Sequence, residues 1–188
     1  MMEAALVSIG IVALAEIGDK TQLLTLVLAA RYKKPWPIVA GIFVATLVNH
    51  GIAGAVGAWL TTAIGQDAMR WILGISFIAM AAWMLIPDRL DDHTGASRRI
   101  GGVFVTTTVL FFLVEIGDKT QIATIALAAR FDSLMAVVMG TTIGMILANA
   151  PVAFFGEALA KRLPVRAVHV LAALVFAALG VGVLAWGQ

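Results

Sequence analysis

Two identical stretches of seven residues carry most of the side chains with which this chain could do chemistry. Each reads Glu-Ile-Gly-Asp-Lys-Thr-Gln, first at residues 16–22 and again at residues 115–121, and together they hold four of the chain's 11 acidic residues. Carboxylate, hydroxyl and amide oxygens without sulfur are ligands for hard or borderline divalent cations such as Ca²⁺, Mn²⁺ or Mg²⁺. The chain contains no Cys, which excludes thiol catalysis and zinc-ribbon or iron–sulfur sites.

The predicted metal ligands are the four acids of the two stretches: Glu16, Asp19, Glu115 and Asp118. On a continuous helix, Glu at i, Asp at i+3 and Lys at i+4 would share one face. Neighbours expected to support the site are Lys20, Lys119, Thr21, Thr120, Gln22, Gln121, Gly18, Gly117, His50 and Asn149. The lysines would trim the negative charge. The glycines permit either the close approach of a partner helix or local unwinding that turns carbonyls toward the site, and both alternatives stay open.

The composition places these charges inside a bilayer. Hydrophobic residues make up 61% of the 188 residues and charged residues 13%, with a mean hydropathy of +0.99. Soluble domains have an apolar share of about 45–50% even when glycine is counted. This apolar composition makes lipid the expected surroundings. The net charge of +2 is too small for a nucleic-acid-binding surface, so nucleic acid is not an expected partner.

Apolar stretches predict six membrane spans, at residues 4–30, 37–62, 69–86, 101–129, 134–159 and 165–186.

A charged residue inside a span raises the free energy of membrane insertion by about 2.5–3.5 kcal/mol, so charges at these positions without a function are not expected. The bland alternative is that Glu and Lys at i and i+4 form a self-neutralising pair that only holds helices together. The duplication and the additional Asp in each copy favour a functional site.

The two stretches belong to an internal repeat. Residues 16–31 and 115–130 match at 12 of 16 positions with an offset of 99 residues, and at this offset His50 corresponds to Asn149. Each copy opens a set of three spans, and an odd number of spans forces the second copy to enter the membrane from the opposite side. The predicted fold is therefore all-α, a polytopic membrane protein with six transmembrane helices as two inverted three-helix repeats. The expected division is a first repeat at residues 1–87, a cytoplasmic linker at 88–100 and a second repeat at 101–188.

Basic residues predict the orientation. The loops after spans one, three and five hold nine of the 13 lysines and arginines, whereas Arg70 and Arg130 lie on the opposite side. The positive-inside rule puts the nine in the cytoplasm and both termini outside. Glu3, in place of a basic start, favours a plain first span over a cleaved signal peptide. His169, near the start of span six, is expected at the membrane interface.

The motif Glu-x-Gly-Asp-Lys-Thr, once in each half of a small six-span chain, resembles the cation/proton exchanger family long catalogued as uncharacterised protein family sixteen. Both copies, Glu16–Thr21 and Glu115–Thr120, fit the family pattern without departure. The resemblance implies that the two stretches form a cation site with the four acids at its core. It also implies transport of Ca²⁺ and Mn²⁺, as in Golgi members, or export of Mn²⁺, as in bacterial members. The short central loop and the lack of a long N-terminal extension look like the bacterial form, in the plasma membrane.

The expected function is therefore a secondary transporter, not an enzyme. It would export a divalent cation, Mn²⁺ or Ca²⁺, in exchange for protons by alternating access, without a resident cofactor. Two alternatives are kept. An intramembrane aspartyl protease could use Asp19 and Asp118 as its dyad, although the Glu and Lys in each copy would crowd that dyad. An exporter of small organic cations would need a larger, aromatic-lined cavity.

Overall fold

The computed structural model of the chain describes residues 1–86, 101–156 and 164–186. The predicted linker at 88–100, which contains His93, lies outside these residues, and so do Lys161 and Arg162 of the basic loop after the fifth span. The described residues form eight helices and no strand. We number the helices α1 (Met2–Glu16), α2 (Lys20–Tyr32), α3 (Pro35–Ala63), α4 (Gln66–Met84), α5 (Val103–Glu115), α6 (Lys119–Arg130), α7 (Leu134–Phe155) and α8 (Val165–Trp186).

Four of the helices, α3, α4, α7 and α8, are long and apolar enough to cross a membrane. They correspond to predicted spans two, three, five and six. The other four are short and come in two consecutive pairs, α1 with α2 and α5 with α6, at the places of spans one and four. An all-helical membrane fold is thus confirmed, whereas the two stretches predicted as spans one and four are each divided into two helices.

Both divisions fall inside the motif. Helix α1 ends at Glu16, Ile17 is extended, and α2 begins at Lys20 with Asp19 as its N-cap. In the second copy α5 ends at Glu115 and α6 begins at Lys119. Gly18 and Gly117 have φ of 83° and 76°, a left-handed conformation that an L side chain disfavours. Both glycines therefore have the unwinding role, and Gly18 also has the other one, because a Cβ built on it would lie 2.3 Å from Cγ1 of Val165. The predicted continuous helical face of Glu, Asp and Lys is wrong, because the helix stops between Glu and Lys.

The first helix of each motif pair packs on a corresponding long helix. Helix α1 packs on α7, and α5 packs on α3. The helices can approach closely because Gly140 has no side chain: a Cβ at this position would lie 2.7 Å from the Ala5 carbonyl oxygen. At the positions 99 residues apart, a Cβ on Gly41 would lie 2.9 Å from the Phe104 carbonyl oxygen. Glycine at both crossings lets the backbones touch, as is common between membrane helices.

Helices α4 and α8 form a separate pair that packs along its length. A Cβ on Gly180 would lie 2.9 Å from the Gly74 carbonyl oxygen, and the rings of Phe77 and Phe176 are 6.2 Å apart. The pair also contacts the rest of the fold, through α8 on α1 and α4 on α6.

Candidate metal centre

The two motif breaks meet in the interior of the protein. One carboxylate oxygen from each of Glu16, Asp19 and Asp118 lies within 4.8 Å of the others, so the two halves of the chain contribute to one cluster. None of the four motif acids is more than 2% exposed. Oxygens at this spacing and burial can share one metal ion.

The helix ends shape the field of this cluster. Asp19 and Asp118 are the N-caps of α2 and α6, where the positive end of the helix dipole favours a carboxylate. Glu16 and Glu115 are the last residues of α1 and α5, where the negative end of the dipole disfavours one. A cation among the four would offset that repulsion.

Glu115 is not in the 4.8 Å cluster. Its Oε1 accepts a hydrogen bond from the Thr120 hydroxyl and lies 3.4 Å from His50 Nε2. Glu16 is held in the same way, because its Oε2 accepts from the Thr21 hydroxyl and from Asn149 Nδ2, the latter at 3.2 Å. Each glutamate thus pairs with the threonine of its own motif and with a polar residue on a long helix: Glu115 with His50 of α3, and Glu16 with Asn149 of α7. His50 and Asn149, which correspond at the 99-residue offset, therefore have the same role: each contacts one motif glutamate.

Three of the motif acids keep an oxygen available. Glu16 Oε1, Glu115 Oε2 and Asp118 Oδ2 are buried and have no hydrogen-bond partner among the described residues. A buried carboxylate oxygen without a partner is costly, and a metal ion is one group that satisfies it.

The lysines pair across the two halves. Lys20 Nζ lies 3.1 Å from Asp118 Oδ1, and Lys119 Nζ lies 3.9 Å from Asp19 Oδ1. The alternative of a self-neutralising Glu–Lys pair within one helix is therefore wrong for the described structure. Since each ammonium faces an acid of the opposite copy, the lysines tie the two breaks to each other.

The glutamines brace the breaks. Gln22 Oε1 accepts from the Gly18 amide at 2.9 Å, and Gln121 Oε1 accepts from the Gly117 amide at 2.7 Å. Their amide nitrogens donate to the long helices: Gln22 to the Ala148 carbonyl of α7 at 3.1 Å, and Gln121 to Asn49 Oδ1 of α3. With both ends engaged, the glutamines position the backbone of the breaks.

Sequence reasoning did not anticipate the contact that His169 makes at the first break. His169 is only 8% exposed, and its Nε2 lies 2.8 Å from the carbonyl oxygen of Ile17. Because a carbonyl only accepts, the ring nitrogen donates. The repeat could have indicated this donor role, because Arg70, another hydrogen-bond donor, occupies the corresponding position 99 residues earlier.

The chain resembles known proteins over nearly its whole length. The profile of a family described as divalent cation/proton antiporter GDT1 matches residues 4–92 and 103–187. The chain belongs to the GDT1 family. Its resemblance to the cation/proton exchangers is thereby confirmed, and so is its assignment as a transporter and not an enzyme. Family substrates are divalent cations, which argues against both the protease and the organic-cation alternatives.

Individual relatives agree with membership of the GDT1 family. A Vibrio cholerae protein named "Putative manganese exporter" is 49% identical over 94% of this chain and 88% of its own length. A GDT1-like protein of Synechocystis is 26% identical over 94% of both chains. GDT1-like protein 3 of Arabidopsis thaliana is 25% identical over 94% of this chain and 68% of its own length. No solved structure matches the chain.

Proposed function

We propose that this GDT1-family protein exports a divalent metal cation in exchange for protons by alternating access. Mn²⁺ is the preferred cargo, as the name of the Vibrio cholerae relative suggests, and Ca²⁺ is the second candidate. The ligands would be Glu16, Asp19, Glu115 and Asp118. The observation that carries the proposal is the buried meeting of carboxylates from both motif copies, with ligand oxygens within 4.8 Å.

Charge balance supports exchange with protons. Four carboxylates against two ammonium groups leave two uncompensated negative charges, which one divalent cation neutralises. When the ion leaves, crowded carboxylates in a poorly solvated site cannot all remain ionised, so protons replace the ion. Two protons per ion would keep the site neutral both when the metal is bound and when protons have replaced it.

The repeated architecture supports alternating access. Broken helices that place half-helix ends at a central site, with contacts repeated in the two halves, are typical of inverted-repeat transporters. The glycine crossings at Gly41 and Gly140 and the paired roles of His50 and Asn149 fit such a duplication. In this proposal the six spans form two inverted repeats, at residues 1–87 and 101–188, joined by a cytoplasmic linker.

The positive-inside bias supports an orientation with both termini outside the cytoplasm. The similarity to the Vibrio cholerae protein supports a place in the inner membrane of a bacterium. Helices α1 and α6 then lie in the outer half of the membrane, and α2 and α5 lie in the cytoplasmic half. The site at the two breaks lies between the halves.

The decisive experiment reconstitutes the purified protein in liposomes and measures uptake of Mn²⁺, Ca²⁺ and Mg²⁺ with and without an imposed pH gradient. We expect Mn²⁺ uptake that the gradient drives and that releases protons from the lumen. Liposomes holding the Glu16→Gln variant are the matched negative control. Metal flux that ignores the pH gradient would contradict proton exchange, and absence of any metal flux would contradict the proposal as a whole.

A further inference from the structure

The two motif breaks have different surroundings, although their sequences are identical. The 99-residue offset provides an internal reference, because each contact at one break has a defined counterpart at the other. Given the proposed transport function, this difference indicates which part of the fold moves during transport.

The first break is covered by the start of α8. His169 donates to the Ile17 carbonyl at 2.8 Å. A Cβ on Gly18 would lie 2.3 Å from Cγ1 of Val165, so the helix presses directly on the break. Helix α8 is therefore fastened to the junction of α1 and α2.

The second break is open at the corresponding place. No atom of the described residues lies within 4 Å of a Cβ built on Gly117, and Ile116 is 54% exposed. The counterpart of His169 is Arg70 in the second turn of α4, and its buried Nε has no hydrogen-bond partner among the described residues. Within the part of the chain that the structure describes, the second break thus lacks the contact that His169 makes at the first.

Helix α4 is fastened at its other end instead. Lys119 Nζ, besides facing Asp19, lies 3.2 Å from the Ile86 carbonyl oxygen and 5.9 Å from the centre of the Trp83 ring. Lys119 is 1% exposed, whereas its counterpart Lys20 is 26% exposed. The end of α4 therefore covers one lysine of the site and leaves the other accessible.

These contacts place the α4–α8 pair against one side of the site only. The pair packs on α1 and α6, which lie on the same side of the two breaks. The reciprocal contacts, α4 on α5 and α8 on α2, are marginal or absent among the described residues. With the orientation proposed above, the outer half is covered and the cytoplasmic half is not.

We propose that the α4–α8 pair is the moving gate of this transporter and that His169 is a positioning residue that latches it to the Ile17 carbonyl. In the opposite state the contacts pass to the repeat-related positions. Arg70 then donates to the carbonyl of Ile116, and Lys20 reaches the carbonyl of Ala185 at the end of α8. Packing of Gly74 and Gly180 keeps the two helices together while they move.

The absence of Cys from the chain makes a cross-linking test direct. The first pair, Ile17→Cys with Val165→Cys, reports the state described here. The matched second pair, Ile116→Cys with Gln66→Cys, occupies the same positions in the other repeat and reports the opposite state. Each is treated in membranes with a short bifunctional thiol reagent that reduction reverses, with chelator or with Mn²⁺ under a pH gradient.

We expect both pairs to cross-link, the second more strongly during turnover, and each cross-link to stop Mn²⁺ transport until it is reduced. Full Mn²⁺ flux through protein cross-linked at the first pair would overturn the proposal. So would failure of the second pair to react in protein that transports. If the unmodified protein carries no metal at all, it is the proposed function that fails, because the cross-link yields are read independently of flux.

The latch itself is tested by His169→Ala in both cysteine pairs. Loss of one buried hydrogen bond should lower the ratio of first-pair to second-pair cross-linking by about fivefold to tenfold. His169→Gln, which keeps a donor, should restore the ratio, and Arg70→Ala should shift it the other way. Arg130→Ala is the control for loss of an arginine on the same side. Unchanged ratios in His169→Ala would contradict the latch.

Discussion

Each motif glutamate lies at the wrong end of a helix for a negative charge, and this is what makes it a good ligand. Glu16 and Glu115 end α1 and α5, and each keeps one buried oxygen without a hydrogen-bond partner among the described residues. The other oxygen is held by a threonine and by a residue of the opposite half. A carboxylate fixed in this way is oriented before the ion arrives.

Replacement of Glu16 or Asp118 by Ala should therefore abolish Mn²⁺ transport and leave a folded protein. The loss in transport rate should be about 100-fold or more, since a direct ligand matters at least as much as the outer partners of a metal site. The measurement is Mn²⁺ uptake in proteoliposomes, with size-exclusion profiles in detergent as the check on folding. Glu3→Gln, an exposed acid of the same helix α1, should transport normally. Normal flux in either alanine variant would refute the ligand assignment.

The equivalence of His50 and Asn149 gives a second prediction. Because both residues approach the glutamate of the opposite half, an asparagine at position 50 should do what Asn149 does for Glu16. We expect His50→Asn to keep the KM for Mn²⁺ near that of the unmodified protein, and His50→Ala to raise it by about 10–100-fold. Initial rates over a range of Mn²⁺ concentrations measure this. An equal rise of KM in both variants would show that His50 contributes something that an amide cannot.

At the scale of elements, the two identical breaks should differ in their tolerance of a side chain. Gly117→Ala adds only the strain of a left-handed L residue, about 1–2 kcal/mol. Gly18→Ala adds the same strain and a collision with Val165. Thermal unfolding in detergent should therefore show a larger loss of stability for Gly18→Ala. Val165→Ala, combined with Gly18→Ala, should recover part of the difference, and equal midpoints for the two glycine variants would contradict the packing.

Span positions were predictable because hydropathy and helix length alone decide them. The predicted spans 37–62, 134–159 and 165–186 lie close to α3, α7 and α8. The helix breaks could not be predicted from the sequence, because Glu-Ile-Gly-Asp-Lys is also compatible with a continuous helix. Only tertiary contacts favour the left-handed conformation of the glycine. The crosswise pairs of Lys20 with Asp118 and Lys119 with Asp19 were missed for a related reason. They depend on how two segments 99 residues apart meet. The spacing of residues within one motif gives no information about such contacts.

At the scale of the whole molecule, the orientation follows from the distribution of basic residues and can be tested with single cysteines. Lys34→Cys, between α2 and α3, should be shielded in intact cells from a membrane-impermeant maleimide. Asp132→Cys, between α6 and α7, should react. Both residues are exposed in the fold, so a difference in labelling reports the side of the membrane. Labelling after permeabilisation is the control, and the reverse pattern would invert the proposed direction of export.

The charge of the site also determines how transport responds to membrane voltage. If two protons replace each divalent ion, no net charge crosses the membrane in a full cycle, and Mn²⁺ flux should not change when a K⁺ gradient with valinomycin sets the potential. Removal of one ammonium group should break this balance. Lys20→Met, which loses the partner of Asp118, is therefore expected to make transport sensitive to voltage or to lower the number of protons exchanged per ion. Flux and lumenal pH recorded together at several clamped potentials measure both quantities. A current proportional to Mn²⁺ movement in the unmodified protein would mean that the four carboxylates do not release and rebind two protons in each cycle.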